Sequence, residues 1–186
     1  MTLSFARSQI ASQVAYADPH ARFQTVVVPF TKPEIAGDLN AIVIGWSDTT
    51  ATVSSVIDST GNQYQLAGGS ATGATLSQSV YYCPSVAAGS DAVTVTFNTP
   101  ASYPDVRILE YSGFSALDWA DGTNLITSGF SDNPTDGLQG INNVLPGTSA
   151  LVMAAVTTSG SVISNGSFGS EILSTRDTVA DLLVPN

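Results

Sequence analysis

The stretch Ala36–Leu66 (AGDLNAIVIGWSDTTATVSSVIDSTGNQYQL) constrains this chain more than any other. Within it, Leu39–Trp46 is made of β-branched, aromatic and small residues that suit a pleated, packed surface. Alternation sends Leu39, Ala41, Val43 and Gly45 to one side and Asn40, Ile42, Ile44 and Trp46 to the other. Both sides are largely apolar, so the pattern predicts a central strand covered on both faces. Ser47–Thr50 is polar and reads as a loop. Thr52–Ile57 resumes as a strand in which Val53 and Val56 are out of phase, which predicts a bulge or bend. Ala36–Asp38 and Asp58–Asn62 are turns. In the second, the Asp58 side chain can accept bonds from the backbone ahead of it and Gly61 can take positive φ. Asn62–Leu66 then returns as a third strand.

The remaining 155 of the 186 residues repeat this pattern of short strands and turns. Phe23–Phe30 is a strand whose Pro29 cannot donate a ladder bond, which places it at an edge or bulge. Ala67–Ala74 (AGGSATGA) reads as a flexible surface loop. Leu76–Cys83, Asp91–Asn98 and Val106–Ser112 are strands. In Asp91–Asn98, Val93, Val95 and Phe97 face inward and Thr94 and Thr96 outward; in Val106–Ser112, Glu110 shares a face with Val106 and Ile108. Gly113–Pro146 reads as long loops, Ser149–Thr158 as a strand, Ser161–Leu173 as a hairpin around Asn165-Gly166, and Leu173–Val184 as a stretch that includes a helical turn. No 3.6-residue apolar period persists. The expected fold is all-β: one domain over residues 1–186, with roughly ten to twelve strands in a two-sheet antiparallel β-sandwich, jelly-roll-like or Ig-like.

Composition narrows the function. Charged residues are 11% of the chain, below the ~25% of ordinary globular domains, and Ser, Thr, Gly and Asn stand in their place, as in extracellular β-proteins. Five Lys+Arg against fifteen Asp+Glu give a net charge of −10. The cations Arg7, Lys32, Arg22, Arg107 and Arg176 are scattered, which excludes nucleic acid as a partner and disfavours an anionic membrane surface. No run of about 18 apolar residues is present to insert in a membrane. Met1–Ala17 lacks a secretory signal pattern, so the expectation is either a signal already removed or release by cell lysis, as for phage virion proteins. The single Cys83 follows an apolar run and reads as a small buried hydrophobe.

The segments AGDLNAIVIGWSDTTATVSSVIDSTGNQY, AAGSDAVTVTFN and YPDVRILEYSG resemble a family of bacterial extracellular β-sandwich modules found in large surface and secreted proteins. The likeness covers Phe23–Ser112 and, more loosely, ALVMAAVTT. It implies the fold and a surface or secreted location, and brings no catalytic residues. It also implies a final aromatic-rich strand or hairpin beyond Val184, where this sequence stops at Pro185-Asn186; the expectation is either a truncated sequence or a strand that another chain supplies at an open groove.

Catalytic and metal chemistry has few candidates. His20, the only histidine, lies in an Asp-Pro-His turn and reads as an exposed loop residue; one Cys and one His cannot make a structural zinc site. Calcium is the one cofactor the loops suit, with Asp132, Asn133 and Asp136 as candidate ligands and Asp118 and Asp121 as a second cluster. Glu34, Glu110 and Glu171 are isolated in sequence; a hydrolase would need Glu110 to face a cleft with a second carboxylate such as Asp105. Trp46, Tyr103, Tyr111 and Trp119 are candidate sugar platforms. Trp46 reads as core, and Trp119, with Tyr103, Asp118 and Asp121, forms the preferred ligand set.

The leading expectation is therefore a non-enzymatic extracellular or particle-surface protein, structural or adhesive, whose partners are copies of itself or other surface proteins. The alternatives are a carbohydrate-binding module recognising glycans, with or without calcium, and a phage virion decoration or tail-associated protein.

Overall fold

The computed structural model describes residues 11–67, 70–89 and 92–113, together with the backbone of three later strands. In chain order the strands are β1 (Gln13–Ala17), β2 (Arg22–Pro29), β3 (Leu39–Trp46), β4 (Val53–Asp58), β5 (Gln65–Leu66), β6 (Ala71–Thr72), β7 (Ser77–Cys83), β8 (Ala92–Ser102), β9 (Asp105–Tyr111), β10 (Ala150–Val156), β11 (Gly169–Ile172) and β12 (Thr178–Val184). No helix occurs among the described residues, and none there could cross a membrane. All pairings among the described strands are antiparallel. The larger sheet has the order β1-β9-β3-β7-β5, with β6 also paired to β7; a smaller sheet has the order β2-β8-β4; and β10-β12-β11 form a third.

β3 is the centre of the larger sheet, hydrogen-bonded to β7 and β9 and buried along all eight residues. Its even-numbered side chains Ile42, Ile44 and Trp46 join Ala15, Val106 and Ile108 in a core shared with Val26, Val28, Val56, Val93, Val95, Phe97 and Ala101 of the smaller sheet. Each such aliphatic side chain contributes about 1.5–3 kcal/mol on burial, so this seam holds the two sheets together. The opposite face is also buried: Leu39, Ala41 and Val43 pack with Leu109 and Tyr111, and Arg107 and Asp105 pair at 2.7 Å with almost no solvent contact. A strand enclosed on both faces cannot carry an alternating polar pattern, which is why LNAIVIGW reads as a continuous apolar run.

The stretch Ala36–Leu66 contributes to both sheets. β3 lies in the larger, β4 crosses to the smaller, and β5 crosses back to the edge of the larger. The phase break between Val53 and Val56 is a register shift between Val53 and Ser55 opposite β8. Past Asp58 the chain starts to return as a hairpin, with Ile57 bridged to Gln63, but β5 then leaves to pair with β7. Gly61 and Gly37 adopt φ of 85° and 87°, as their turns require. Pro29 ends an edge strand, opposite Ala92.

Two expectations are refined. Of the stretch Leu173–Val184 expected to include a helical turn, Thr178–Val184 is a strand paired to β10 and to β11, its backbone satisfied by two ladders, and residues 173–177 lie outside the described residues. Ala71–Thr72, inside the glycine-rich stretch expected to be a free loop, pairs with Ser77–Gln78 as β6. The expected loops of Gly113–Pro146 and the Asn165-Gly166 turn lie outside the described residues.

Candidate functional site

The polar groups of the described residues gather at opposite ends of β9. At the Glu110 end, register places Gln13, Glu110 and Asn40 side by side across β1, β9 and β3. Glu110 is fully buried. Its Oε1 accepts the backbone N–H of Ile35 at 2.8 Å, and its Oε2 accepts the Gln13 amide. The Gln13 Oε1 in turn accepts from Thr31 Oγ1 at 3.0 Å and from the Lys32 N–H at 3.2 Å. The Asn40 amide donates to Glu34 and, at 3.0 Å, to the Tyr64 hydroxyl, which donates to Asp58 Oδ2 at 3.1 Å.

Asp58 completes the turn read from the sequence. Its Oδ1 accepts the N–H of Thr60 and of Asn62 at 3.1 and 2.9 Å, and its Oδ2 accepts the Asn62 amide at 2.6 Å. Burial alone would raise this carboxyl; the Asn62, Thr60 and Tyr64 donors outweigh it and hold the group below the ordinary value. Burial pushes the Tyr64 hydroxyl far above the phenol range, so it remains a neutral donor. Cys83, buried beside this network, donates weakly to the Ser85 carbonyl, and burial pushes its thiol up. A buried thiol in that state is a packing group, as the sequence suggests.

At this end Glu110 and Asp105 do not come together. Strand alternation puts Glu110 on the face of β9 opposite Asp105, and Asp105 is bound to Arg107. The pairing of Glu110 with Asp105 raised by their spacing is thereby corrected. Trp46 and Tyr111 are both buried and offer no platform. His20 is 84% exposed at the side chain, with Asp18 as its neighbour at 3.6 Å.

The other end is more open. The loop Ser47–Thr50 folds around Asp48, whose Oδ1 accepts the N–H of Thr50 and Ala51 at 3.0 and 2.8 Å and whose Oδ2 accepts the Ser102 N–H at 2.8 Å. Burial would raise this carboxyl too, but the Ala51, Ser102 and Thr50 amides prevail and lower it. Ser47 donates to the Ser102 carbonyl at 2.7 Å, so Asp48 and Ser47 together clasp the end of β8. Beyond it stands Tyr103, 56% exposed and at φ 47°, a conformation unusual for a non-glycine residue. Its N–H donates to Ala21 at 2.9 Å, and the Arg22 guanidinium beside it binds the Pro100 carbonyl at 3.0 and 3.3 Å. Tyr103 is thus the one predicted ligand residue that the described structure locates, and it is on the surface. Trp119, Asp118 and Asp121, and the calcium candidates Asp132, Asn133 and Asp136, lie outside the described residues.

A third feature was not singled out from the sequence. The outer face of β2-β8-β4 carries the rows Val27–Thr94–Ile57 and Thr25–Thr96–Ser55, flanked by Pro29–Ala92. None of these eight side chains is charged, and Val27 and Ile57 are 55% and 47% exposed. The signal was present for β8, where Thr94 and Thr96 alternate with core residues; Val27 carries no such mark because it sits in the run Val26–Val28, nor does Ile57 because it follows Val56 directly.

No family model matches the chain, and comparison with curated proteins and with solved structures found no match.

Proposed function

We propose that this chain is a non-enzymatic β-sandwich module of jelly-roll type that serves a structural or adhesive role on a cell or particle surface and associates with copies of itself. The jelly-roll reading is supported by the order β1-β9-β3-β7 set against β2-β8-β4, with the chain changing sheets from β1 to β2, β2 to β3, β3 to β4, β7 to β8 and β8 to β9. Such interleaving is how two Greek keys wind into one sandwich, an architecture shared by capsid and lectin domains. The observation that carries the functional reading is the use of three acids: buried Glu110 and Asp58 and half-buried Asp48 spend their oxygens on backbone and amide donors that hold loops in place. A chain that commits these carboxylates to its own scaffold and turns outward a sheet face whose central rows carry no charge is suited to assembly. The resemblance to bacterial extracellular modules points the same way, and a virion surface is the alternative setting.

Light scattering after size exclusion, over a wide concentration range and with negative-stain images of the largest fraction, tests this. A fixed oligomer, filaments or shells are expected. A monomer of 19.1 kDa at every concentration would defeat the reading.

A second reading, glycan binding, is favoured by Tyr103, whose exposed ring is held on a loop in the left-handed region; residues in such conformations cluster at binding sites. Calcium at Asp132, Asn133 and Asp136 belongs to this reading. Tyr103→Ala should abolish retention on a glycan array that the parent protein binds; equal retention of both proteins would remove Tyr103 from consideration.

A further inference from the structure

We infer that two copies of this chain pair through the outer face of β2-β8-β4, about a two-fold axis running along β8. The inference rests on the self-association reading above and names its surface.

Three observations lead there. The first is charge. At a net charge of −10, two copies carry a net repulsion that an interface has to avoid. The eight side chains of these rows include no carboxylate, the exposed charge on these strands is the cation Arg22 at the far end of β2, and the nearest strand aspartate, Asp58, points to the interior opposite Val93. Copies can meet here without desolvating or opposing like charges.

The second is the apolar content. Exposed β-branched side chains are ordinary when single, but Val27 and Ile57 occupy one row on either side of Thr94.

The third is the symmetry of the pattern, and it selects a second copy as the occupant. A two-fold axis lying in the interface along β8 exchanges the left and right strands of the facing sheet. It sets Val27 against the partner's Ile57, Thr94 against the partner's Thr94, Thr96 against the partner's Thr96, and Thr25 against the partner's Ser55. Apolar groups meet apolar groups and hydroxyls meet hydroxyls, so the face is complementary to itself, which is the requirement for an isologous dimer. The contact extends the layering of the fold, since two sheets stack face to face at about 10 Å with their strands aligned. A face three strands wide is smaller than a standard interface of about 800 Å² per partner, so the pairing is concentration-dependent and suits an assembly with further contacts.

Charge exchange in the full chain tests both the surface and the axis. Sedimentation velocity on the parent protein should show reversible dimers. Val27→Lys and Ile57→Asp each place a charge against an aliphatic partner and should raise the dimer dissociation constant by about tenfold or more. The double variant Val27→Lys/Ile57→Asp places opposite charges against each other twice across the axis and should regain most of the loss. Both positions are exposed, and circular dichroism confirms that the variants fold. If the parent dimerises and the single variants dimerise equally well, this face is not the interface, while self-association stands. If the singles fail and the double does not recover, the two-fold along β8 is wrong. A parent protein that stays monomeric defeats the inference together with the reading beneath it, and retention of a glycan or a different protein on this face would then name another occupant.

Discussion

Trp46 and Phe97 meet edge to face, with ring centroids 5.4 Å apart and planes at 69°. They belong to different sheets, Trp46 at the end of β3 and Phe97 in β8, and the indole N–H also donates to the Ala51 carbonyl at 3.1 Å in the loop that carries the chain across. The contact therefore locks the two sheets and the crossover in one place. Phe97→Ala should cost about 3–5 kcal/mol in denaturant unfolding and should collapse the near-ultraviolet dichroism of Trp46. A loss under 1 kcal/mol would mean that this contact is not a principal fastening.

Glu110 and Ile35 supply a second prediction. The Glu110 carboxylate, fully buried, receives donors on both oxygens. Glu110→Gln turns one acceptor into a donor that faces an N–H, so about 1–3 kcal/mol of stability should be lost. Hydrogen exchange should show the loss of protection beginning at the Ile35 amide. Exchange at Ile35 equal to that of the parent would show that the carboxylate does not hold this loop.

Acid should weaken the fold through Asp48 and Asp58. Both carboxyls lie below the ordinary value of 3.8 in the folded chain. A group with a depressed folded pKa contributes stability above its unfolded value, and that contribution is lost as pH falls through the folded value. Asp18, raised chiefly by burial, acts in the opposite sense. Unfolding free energy should thus decline as pH drops through and below about 3.8, and Asp58→Asn should flatten the decline. An unchanged slope in that variant would show that Asp58 titrates alike in both states.

Cys83 should be silent in the native protein. Its sulfur is buried and its thiol is raised by that burial. Reaction with an aromatic disulfide reagent at pH 8 should be at least about a hundredfold slower in buffer than in denaturant. Comparable rates would place the thiol at the surface.

Tyr103 should bear a local conformational cost. A left-handed backbone costs an ordinary L-residue about 1–2 kcal/mol, and Asn tolerates it better. With φ at 47° and the ring exposed, Tyr103→Asn should leave stability unchanged or raise it by up to about 1 kcal/mol. A clear loss would reveal packing of the ring that its exposure conceals.

Strand positions and turn chemistry were legible in the sequence because both are local. The β-branched run of Leu39–Trp46, the alternation of Val93, Val95 and Phe97, the positive φ at Gly37 and Gly61 and the Asp58 turn each depend on a few neighbouring residues. Which sheet each strand joins was not legible. The Asp58 turn suits a plain hairpin, yet β5 departs to β7; Ala71–Thr72 has no strand signature and pairs with Ser77–Gln78 on the side of β7 away from β3. The role of Glu110 was hidden for the same reason: its partner Gln13 lies 97 residues away. So were the uncharged rows of the outer face, since Val27, Thr94 and Ile57 become neighbours only when three distant strands align. Local propensity determined where the chain is extended and where it turns; long-range ladders and desolvation, which act only after the chain has closed on itself, decided what each strand faces.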